Sequence, residues 1–599
     1  MKKMIARAAA LISALALGWL NVVSGAAGAS AVADAAQAGD RTAVANLLKQ
    51  AADVNAAQAD GMTALHWAAL RDDAALAQTL LYAGANVKAA TRLNAYTPLL
   101  LAAKDGRASV VDPLVKAGAD VNGRTTNGTT ALMFAAASGS VDAVMALVDR
   151  GADVNAKEPV RGFTAIMFAA ASDRAPVVNA LAQRGANLRA TTSVVDINAM
   201  GRGAFAGVLF GNPQGQGGQG QGQGGQGGQT GQTGQAGAAQ GSQGGQGGGQ
   251  FGGGGGRFGQ QGTAGIDRQY QLNELVYAQG GLAAIHLAAR QGYTSTMDAL
   301  IASGADINQP TAGDRTTPMI VETINGHFDL AKALLDRGAD PAIASENGVT
   351  PLYAALNCEW APKALYPQPR AYINQKTSYL DLMKALLDKG ADPNARIRKK
   401  VWYSGYSFDL SGVDEGGATP FWRAAYASDV EAMRLLVSYG ADPTIPTMKG
   451  GGRPRTADVE REVTDVAKTP PVPVGGPGVP AVVAAAGSGY GEGFAANSHR
   501  YAPTGMLAAV KYLVEELGAD VNVTDHEGNT ALHNAAARGD VELIQYLVSK
   551  GANVKAVNRE GRTTADMANG PVQRIQPWPD ALALLEKLGA KNNHKCVSC

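Results

Sequence analysis

Residues Asp525 to Val554 read D-H-E-G-N-T-A-L-H-N-A-A-A-R-G-D-V-E-L-I-Q-Y-L-V-S-K-G-A-N-V. Gly528 suits the positive φ of a hairpin tip, where a side chain would clash. Thr530 stands where its hydroxyl caps the next helix, taking a backbone N–H that has no intrahelical partner. Ala531, Leu532, Ala535 and Ala536 give a short helix with a small-residue face, so a neighbouring unit can pack close. Gly539 and Asp540 break that helix and open a second. Val541, Ile544, Leu547 and Val548 then fall at helical spacing and form its apolar stripe. Gly551 ends it in a C-cap position. Such a unit cannot bury its own apolar face and is stable only when stacked.

Stacked copies are there to be found. Openings of the same kind start at Thr63, Thr97, Thr130 and Thr164, separated by 34, 33 and 34 residues. Their closures are G-A-N-V at Gly84, G-A-D-V-N at Gly118 and Gly151, and G-A-N-L at Gly185. The series resumes at Ala283 (A-A-I-H), Thr317 (T-P-M-I), Thr350 (T-P-L-Y) and Thr419 (T-P-F-W). A degenerate opening follows at Val479 (V-P-A-V), then Thr530 (T-A-L-H) and Thr563 (T-T-A-D). Val32 to Asn55 holds two helices without such an opening and reads as an N-terminal cap. The last unit is interrupted from Asn569 to Pro579 before Ala581 to Leu588 supplies its second helix, as a C-terminal cap should be. With this period the chain resembles the ankyrin repeat family. The resemblance implies an all-α solenoid of helix-turn-helix units with hairpin-like loops, about eleven of them beyond the N-terminal cap. It also implies a concave side, lined by hairpin tips and first helices, that binds protein partners.

The chain's 599 residues are 46% hydrophobic and 17% charged with a net charge of +1, so no general attraction to nucleic acid or anionic lipid is expected. Lys2, Lys3 and Arg7 followed by the apolar Ala8 to Leu20 and the small-residue Ala29-Ser30-Ala31 read as a cleaved export signal over residues 1–31. The alternative is a membrane anchor, but the apolar run is shorter than the roughly 20 residues a span needs. No other stretch is apolar enough to span, so a periplasmic or secreted protein is expected. Repeats then occupy 32–190 and 283–590, with a tail at 591–599. Between them lies 191–282, in which Pro213 to Gly262 is almost wholly Gly and Gln and is expected to be a disordered linker.

The remaining insertions fall at 359–378, 396–418, 445–478 and 488–505. Those starting at Thr191, Arg396 and Ile445 sit between one unit's closure and the next opening, at the hairpin, on the side the family uses for partners. The other two sit between the helices of a unit. Arg396 begins R-I-R-K-K-V-W-Y-S-G-Y-S-F-D-L, which combines cations with Trp402, Tyr403, Tyr406 and Phe408. Trp, Tyr and Arg most often dominate binding energy at interfaces. The expected partner site is therefore Arg396, Arg398, Trp402, Tyr403, Tyr406 and Phe408, with Trp422 of T-P-F-W on the groove face. The alternative is that these aromatics pack as core on the neighbouring repeat.

Catalytic chemistry finds little support. His66, His286 and His533 occupy the fourth position of openings, where hydrogen bonding to the turn explains them. Asp120, Asp153, Asp306 and Asp340 recur as the Asp of the closures, a structural periodicity. No H-E-x-x-H, nucleophile elbow or dinucleotide fingerprint is present, so no enzyme, cofactor or metal is expected. One alternative attaches to Cys596 and Cys599, which form C-V-S-C at the end of the sequence. C-x-x-C followed by His attaches c-type haem, but no residue follows Cys599 here. A disulfide, idle thiols, or the start of a redox module continuing beyond Cys599 all remain open. The primary expectation is an exported scaffold that binds another protein.

Overall fold

The computed structural model describes residues 30–196, 278–360, 371–399, 413, 415–450, 465–489, 501–570 and 577–594. Helix pairs stack in chain order. The N-terminal cap is α1 (Ala31–Ala38) and α2 (Arg41–Lys49), with Val32 buried under the first unit. Four units follow: α3 (Ala64–Leu70) with α4 (Ala74–Tyr82), α5 (Pro98–Lys104) with α6 (Val111–Lys116), α7 (Ala131–Ser138) with α8 (Val141–Asp149), and α9 (Ala165–Ala171) with α10 (Ala175–Gln183). Strands β1 (Val194–Asp196) and β2 (Ala278–Gly280) then pair antiparallel. Beyond them come α11 (Ala284–Gln291) with α12 (Thr294–Ala302), α13 (Pro318–Ile324) with α14 (Phe328–Asp336), α15 (Pro351–Trp360) with α16 (Tyr379–Asp388), and α17 (Pro420–Tyr426) with α18 (Val430–Ser438). The ninth unit pairs a short α19 (Ala481–Ala485) with α20 (Gly505–Lys511), prolonged by a π turn over Tyr512–Glu516. Units of α21 (Ala531–Ala537) with α22 (Val541–Ser549) and α23 (Thr564–Ala568) with α24 (Pro579–Lys587) complete the stack. This is the all-α solenoid that the sequence period implies.

The opening Thr does what its position suggests. The hydroxyls of Thr97, Thr130 and Thr419 accept the N–H of the third helical residue at 3.3, 3.3 and 3.1 Å. Where that residue is His the imidazole takes over: Nδ1 of His66 and of His533 accepts the backbone N–H of its own Thr at 3.1 Å. The closures tie units together. Asn55 donates to Gly84 O (3.2 Å) and accepts from Asn86 N (2.6 Å), and Asn122 repeats this with Gly151 O and Asp153 N. Asn155, Asn394 and Asn522 make the same pair of bonds. Each Asn thus satisfies a carbonyl at the end of the next unit's second helix, a group with no intrahelical partner. The core is the continuous row of inner-helix alanines and outer-helix leucines, such as Ala68, Ala135 and Ala535 against Leu80, Leu147 and Leu547, all fully buried.

The stack runs on across 191–282. Asp173 accepts from Ser295 Oγ (3.2 Å) and Thr296 Oγ1 (2.7 Å), Gln309 Nε2 donates to Arg189 O (3.2 Å), and α9 packs directly on α11. Thr192 and Leu282 bond reciprocally at 2.9 Å, closing the base of the β1–β2 ribbon. The insertion is therefore an excursion from one hairpin of an unbroken solenoid, because fourth and fifth units present matching faces once the hairpin base is pinned. Its Gly/Gln stretch lies outside the described residues. Its sequence offers no apolar surface to bury, so deleting 213–262 is expected to leave the melting temperature within about 2 °C of the parent. A scanning calorimetry trace shifted by more than that would show that the repeats depend on it.

Candidate functional site

The inner helices line the concave side, and the side chains they present there recur at one frame position, the residue after the fourth of each opening. In the first four units this residue is Trp67, Leu101, Phe134 and Phe168. Trp67, Phe134 and Phe168 are half-buried, while Leu101 lies lower between them. Tyr96 and Phe163, each just before an opening Thr, add to the same floor: Tyr96 lies 5.8 Å from Phe134 and Phe163 lies 5.6 Å from Phe168, ring centre to ring centre. Trp67 is steadied by its indole N–H on Gln58 Oε1 at 2.8 Å. These five rings are held by a rigid stack and still open to solvent, which is the condition under which aromatic area is available for binding.

Hairpin tips rise along one edge of this floor. Leu93, Val160, Val194 and Val195 stand on them at 78, 65, 44 and 39% exposure. Leu93 stands before the second unit, Val160 before the fourth, and Val194 and Val195 after it. The opposite edge is made by the ends of the inner helices. There Arg71 hydrogen-bonds Gln37 O, Arg174 donates to Ala137 O at 3.0 Å, and the Lys104 ammonium lies 5.1 Å from the Tyr96 ring centre.

Beyond the fourth unit the floor closes. The equivalent residues Leu287, Val321, Ala354, Arg423, Val483 and Asn534 are all buried. Arg423 is spent on structure: Nε donates to Asn357 Oδ1 (2.8 Å) and Nη2 to Trp360 O (2.9 Å), the end of α15, where a cation also suits the helix dipole. Asn534 likewise bonds Val483 O and Ser488 Oγ. The insert of the ninth hairpin runs to the last units, with Arg559 donating to Thr469 O (3.0 Å) and Pro470 O (2.8 Å) and pairing with Asp465 (3.1 Å).

Two of the expected partner residues, Trp422 and Arg396, serve the fold instead. Trp422 is fully buried, its indole N–H donates to Val479 O at 2.8 Å, and it stacks on Tyr426 at 5.3 Å. It cannot touch a partner, because the fourth position of an opening points between units rather than into the groove. Arg396 is exposed but committed, with Nε on Gly417 O and Nη2 on Pro446 O, both at 2.8 Å. It ties two successive hairpins together instead of facing outward. Arg398 is exposed, and its backbone N–H donates to Asn347 O at 2.8 Å. The hairpin base is closed by Ile397 N to Ala418 O at 3.0 Å. Met448 N bonds Gly416 O at 2.7 Å, so the two inserts adjoin as their order suggests. Trp402, Tyr403, Tyr406 and Phe408 lie outside the described residues, as do Cys596 and Cys599.

The buried histidines also do more than brace a turn. His66 Nε2 lies 3.0 Å from Tyr96 O and His286 Nε2 lies 2.8 Å from Gln309 O, each in the next hairpin. With Nδ1 accepting, Nε2 carries the proton and donates across the unit boundary. Burial holds all three imidazoles neutral: it lowers His66, and pushes His286 and His533 down to about 4. His66 and His286 thereby couple neighbouring units, while the contacts of His533 stay within its own opening.

Ankyrin-repeat models match residues 32–125, 99–192 and 285–397 as multi-copy arrays, 498–548 as a further array and 416–448 as a single repeat. Together these cover more than half of the chain. The chain belongs to the ankyrin-repeat family. Its similar relatives include alpha-latrocrustotoxin-Lt1a of Latrodectus tredecimguttatus, 25% identical over 43% of this chain and 13% of that protein. The ankyrin repeat and KH domain-containing protein mask-1 of Caenorhabditis elegans is 31% identical over 22% of this chain and 4% of its own length. Protein phosphatase 1 regulatory subunit 12A of Rattus norvegicus is 35% identical over 16% and 8% respectively. The alignments thus span a small part of each relative's length. Among the described residues no helix is long and apolar enough to cross a membrane.

Proposed function

We propose that this ankyrin-repeat protein is a non-enzymatic scaffold that binds another protein in the groove of its first four units. The carrying observation is the floor of Trp67, Tyr96, Phe134, Phe163 and Phe168, accessible there and replaced by buried residues further along. Exposed apolar tips at Leu93 and Val160 extend the same surface. The family's repeats mediate protein interactions, and a regulatory subunit among the relatives fits that use. The proposal includes export, supported by the basic start, apolar core and small-residue stretch before Val32. Native protein is then expected to begin near Val32, and N-terminal sequencing that finds Met1 in place overturns export without touching the groove.

The groove is tested by replacing Trp67, Phe134 and Phe168 together with Ala and cross-linking the protein to its partner in native extract. Capture is expected to fall at least about 100-fold, since truncated anchors cost roughly 2 kcal/mol or more each. Tyr82, 97% exposed at the end of the outer helix α4, is the control; Tyr82→Ala is expected to leave capture and melting unchanged. Full capture by the folded triple variant would remove the groove from the function.

A further inference from the structure

Resting on the groove reading, we infer that the occupant is an acidic segment in an extended, threefold conformation with an apolar residue at every third position. Two features of the groove specify it, its charge and its spacing. The charge comes from both rims. Arg92 and Arg161 stand on the hairpin edge, and Arg71, Lys104, Arg107 and Arg174 on the edge of helix ends, all exposed. Among the described residues none of the six forms an ion pair with a carboxylate. Asp72 accepts from Ser109 N and Oγ and Asp173 from Ser295 and Thr296, all neutral donors, so with Asp60 and Asp105 four carboxylates stand against the six cations. Cations bordering an apolar floor attract a partner that alternates carboxylates with apolar anchors, and exclude its basic counterpart.

The spacing comes from the stack itself. Successive inner helices α3, α5, α7 and α9 pack side by side, and packed helices lie about 8–10 Å apart. The floor residues, one per helix, therefore repeat at that interval. A β-strand places side chains on one face at every second residue, roughly 6.6–6.8 Å apart, and drifts out of register within two units. A polyproline II segment places them at every third residue, about 9.3 Å apart, and stays in phase along all four. It has no internal hydrogen bonds, so its conformation does not compete with the groove, and Pro within it lowers the ordering entropy lost on binding. An α-helix repeats a face every 5.4 Å and meets only alternate floor positions.

The test uses three labelled synthetic decapeptides and the full chain, read by fluorescence anisotropy. The first has Leu at every third position with Glu and Pro between; the second has Lys for Glu; the third has Leu at every second position with Glu between. The first is expected to bind, to weaken at least tenfold between 50 and 300 mM salt on the scale that screening sets, and to lose about 100-fold with the Trp67→Ala, Phe134→Ala, Phe168→Ala protein. The Lys peptide is expected to bind at least tenfold more weakly to the parent, and to overtake the first on the Arg92→Glu, Arg161→Glu protein. Both substitutions are on exposed tips, and circular dichroism confirms the fold of each variant. Equal binding of the Glu and Lys peptides overturns the charge rule. Equal binding of the every-second-residue peptide overturns the spacing rule. If no peptide binds while the triple variant still loses its native partner, the inference fails and the scaffold reading stands. If capture of the native partner survives the triple variant, the scaffold reading fails as well.

Discussion

Replacing Trp422 with Ala is expected to cost about 3–5 kcal/mol, the range for truncating a large buried aromatic. Two things set the size. The ring is fully buried and stacks on Tyr426, so its removal leaves a cavity between the eighth and neighbouring units. It also strips Val479 O of its indole donor, leaving a buried carbonyl without that bond. Val479 opens the ninth unit, on the far side of the 445–478 insert, so this one contact spans the longest loop of the C-terminal half. Repeat arrays lose stability where they are damaged, through nearest-neighbour interfaces. The loss is therefore expected as an early transition of the later units in urea, with the first four units melting as before. Hydrogen exchange resolved along the chain distinguishes the two halves. Partner capture through the first four units is expected to persist when the later ones have loosened. A Trp422→Ala protein of parental stability that no longer captures its partner would return this residue to the binding surface.

The different fates of Trp422 and Trp67 show what the sequence made legible. Openings and closures are local devices, a cap here and a left-handed glycine there, and each reveals itself within a few residues. Gly528 and Gly551 do take φ of 84° and 88°. The eleven units and the N-terminal cap were therefore readable directly, including the degenerate opening at Val479. The roles of Trp422 and Arg396 were misjudged because composition was weighed above frame. The insert after Arg396 is rich in Trp, Tyr and Arg, yet Arg396 serves the fold and Trp422 occupies the position that is buried in unit after unit, as His66, Met133, Met167, Tyr353 and His533 are. The informative signal was the next position, where T-A-L-H-W, T-A-L-M-F and T-A-I-M-F place a ring one residue beyond the buried one. What no pattern revealed was that Leu287 through Asn534 would be covered. That depends on contacts between segments dozens of residues apart, such as Arg423 with Asn357 and Asn534 with Val483, which have no local signature. The contacts that carry the stack across 191–282 were hidden for the same reason, since Asp173 and Thr296 are far apart in sequence.

The same frame makes the fold sensitive to acid. His286 and His533 are buried, each with Nδ1 accepting a backbone N–H (Ala283 and Thr530), so protonation at Nδ1 breaks that bond and places a charge in a buried site. Their folded values near 4 lie below the ordinary value of 6.5. The unfolded chain therefore binds protons first, and the stability they contribute is complete above pH 6.5 and is lost as pH falls toward 4. At about 1.4 kcal/mol per pH unit the loss approaches about 3 kcal/mol for each imidazole. His66 acts in the same direction. One group opposes them. Glu322 is fully buried in α13 at the place where neighbouring inner helices carry Ala288 and Ala355, and no hydrogen bond reaches either of its oxygens. Burial raises its carboxyl well above the usual range, with Arg337 pulling weakly the other way. Its contribution is present below the ordinary carboxylate value and lost as pH rises, so it tilts the curve upward toward acid. Urea midpoints of the parent between pH 7 and 4 are expected to fall steeply across the histidine window. His286→Gln, His533→Gln protein is expected to start less stable at pH 7, having lost the His286 coupling and the bond from Thr530 to His533, and to change far less on acidification. Glu322→Gln is expected to leave the histidine slope intact while raising the midpoint at pH 8 relative to pH 4. A parent whose midpoint stays flat from pH 7 to 4 would mean that the imidazoles are solvated in the folded chain, and that the contacts drawn from Nε2 to the next hairpin do not hold the units together.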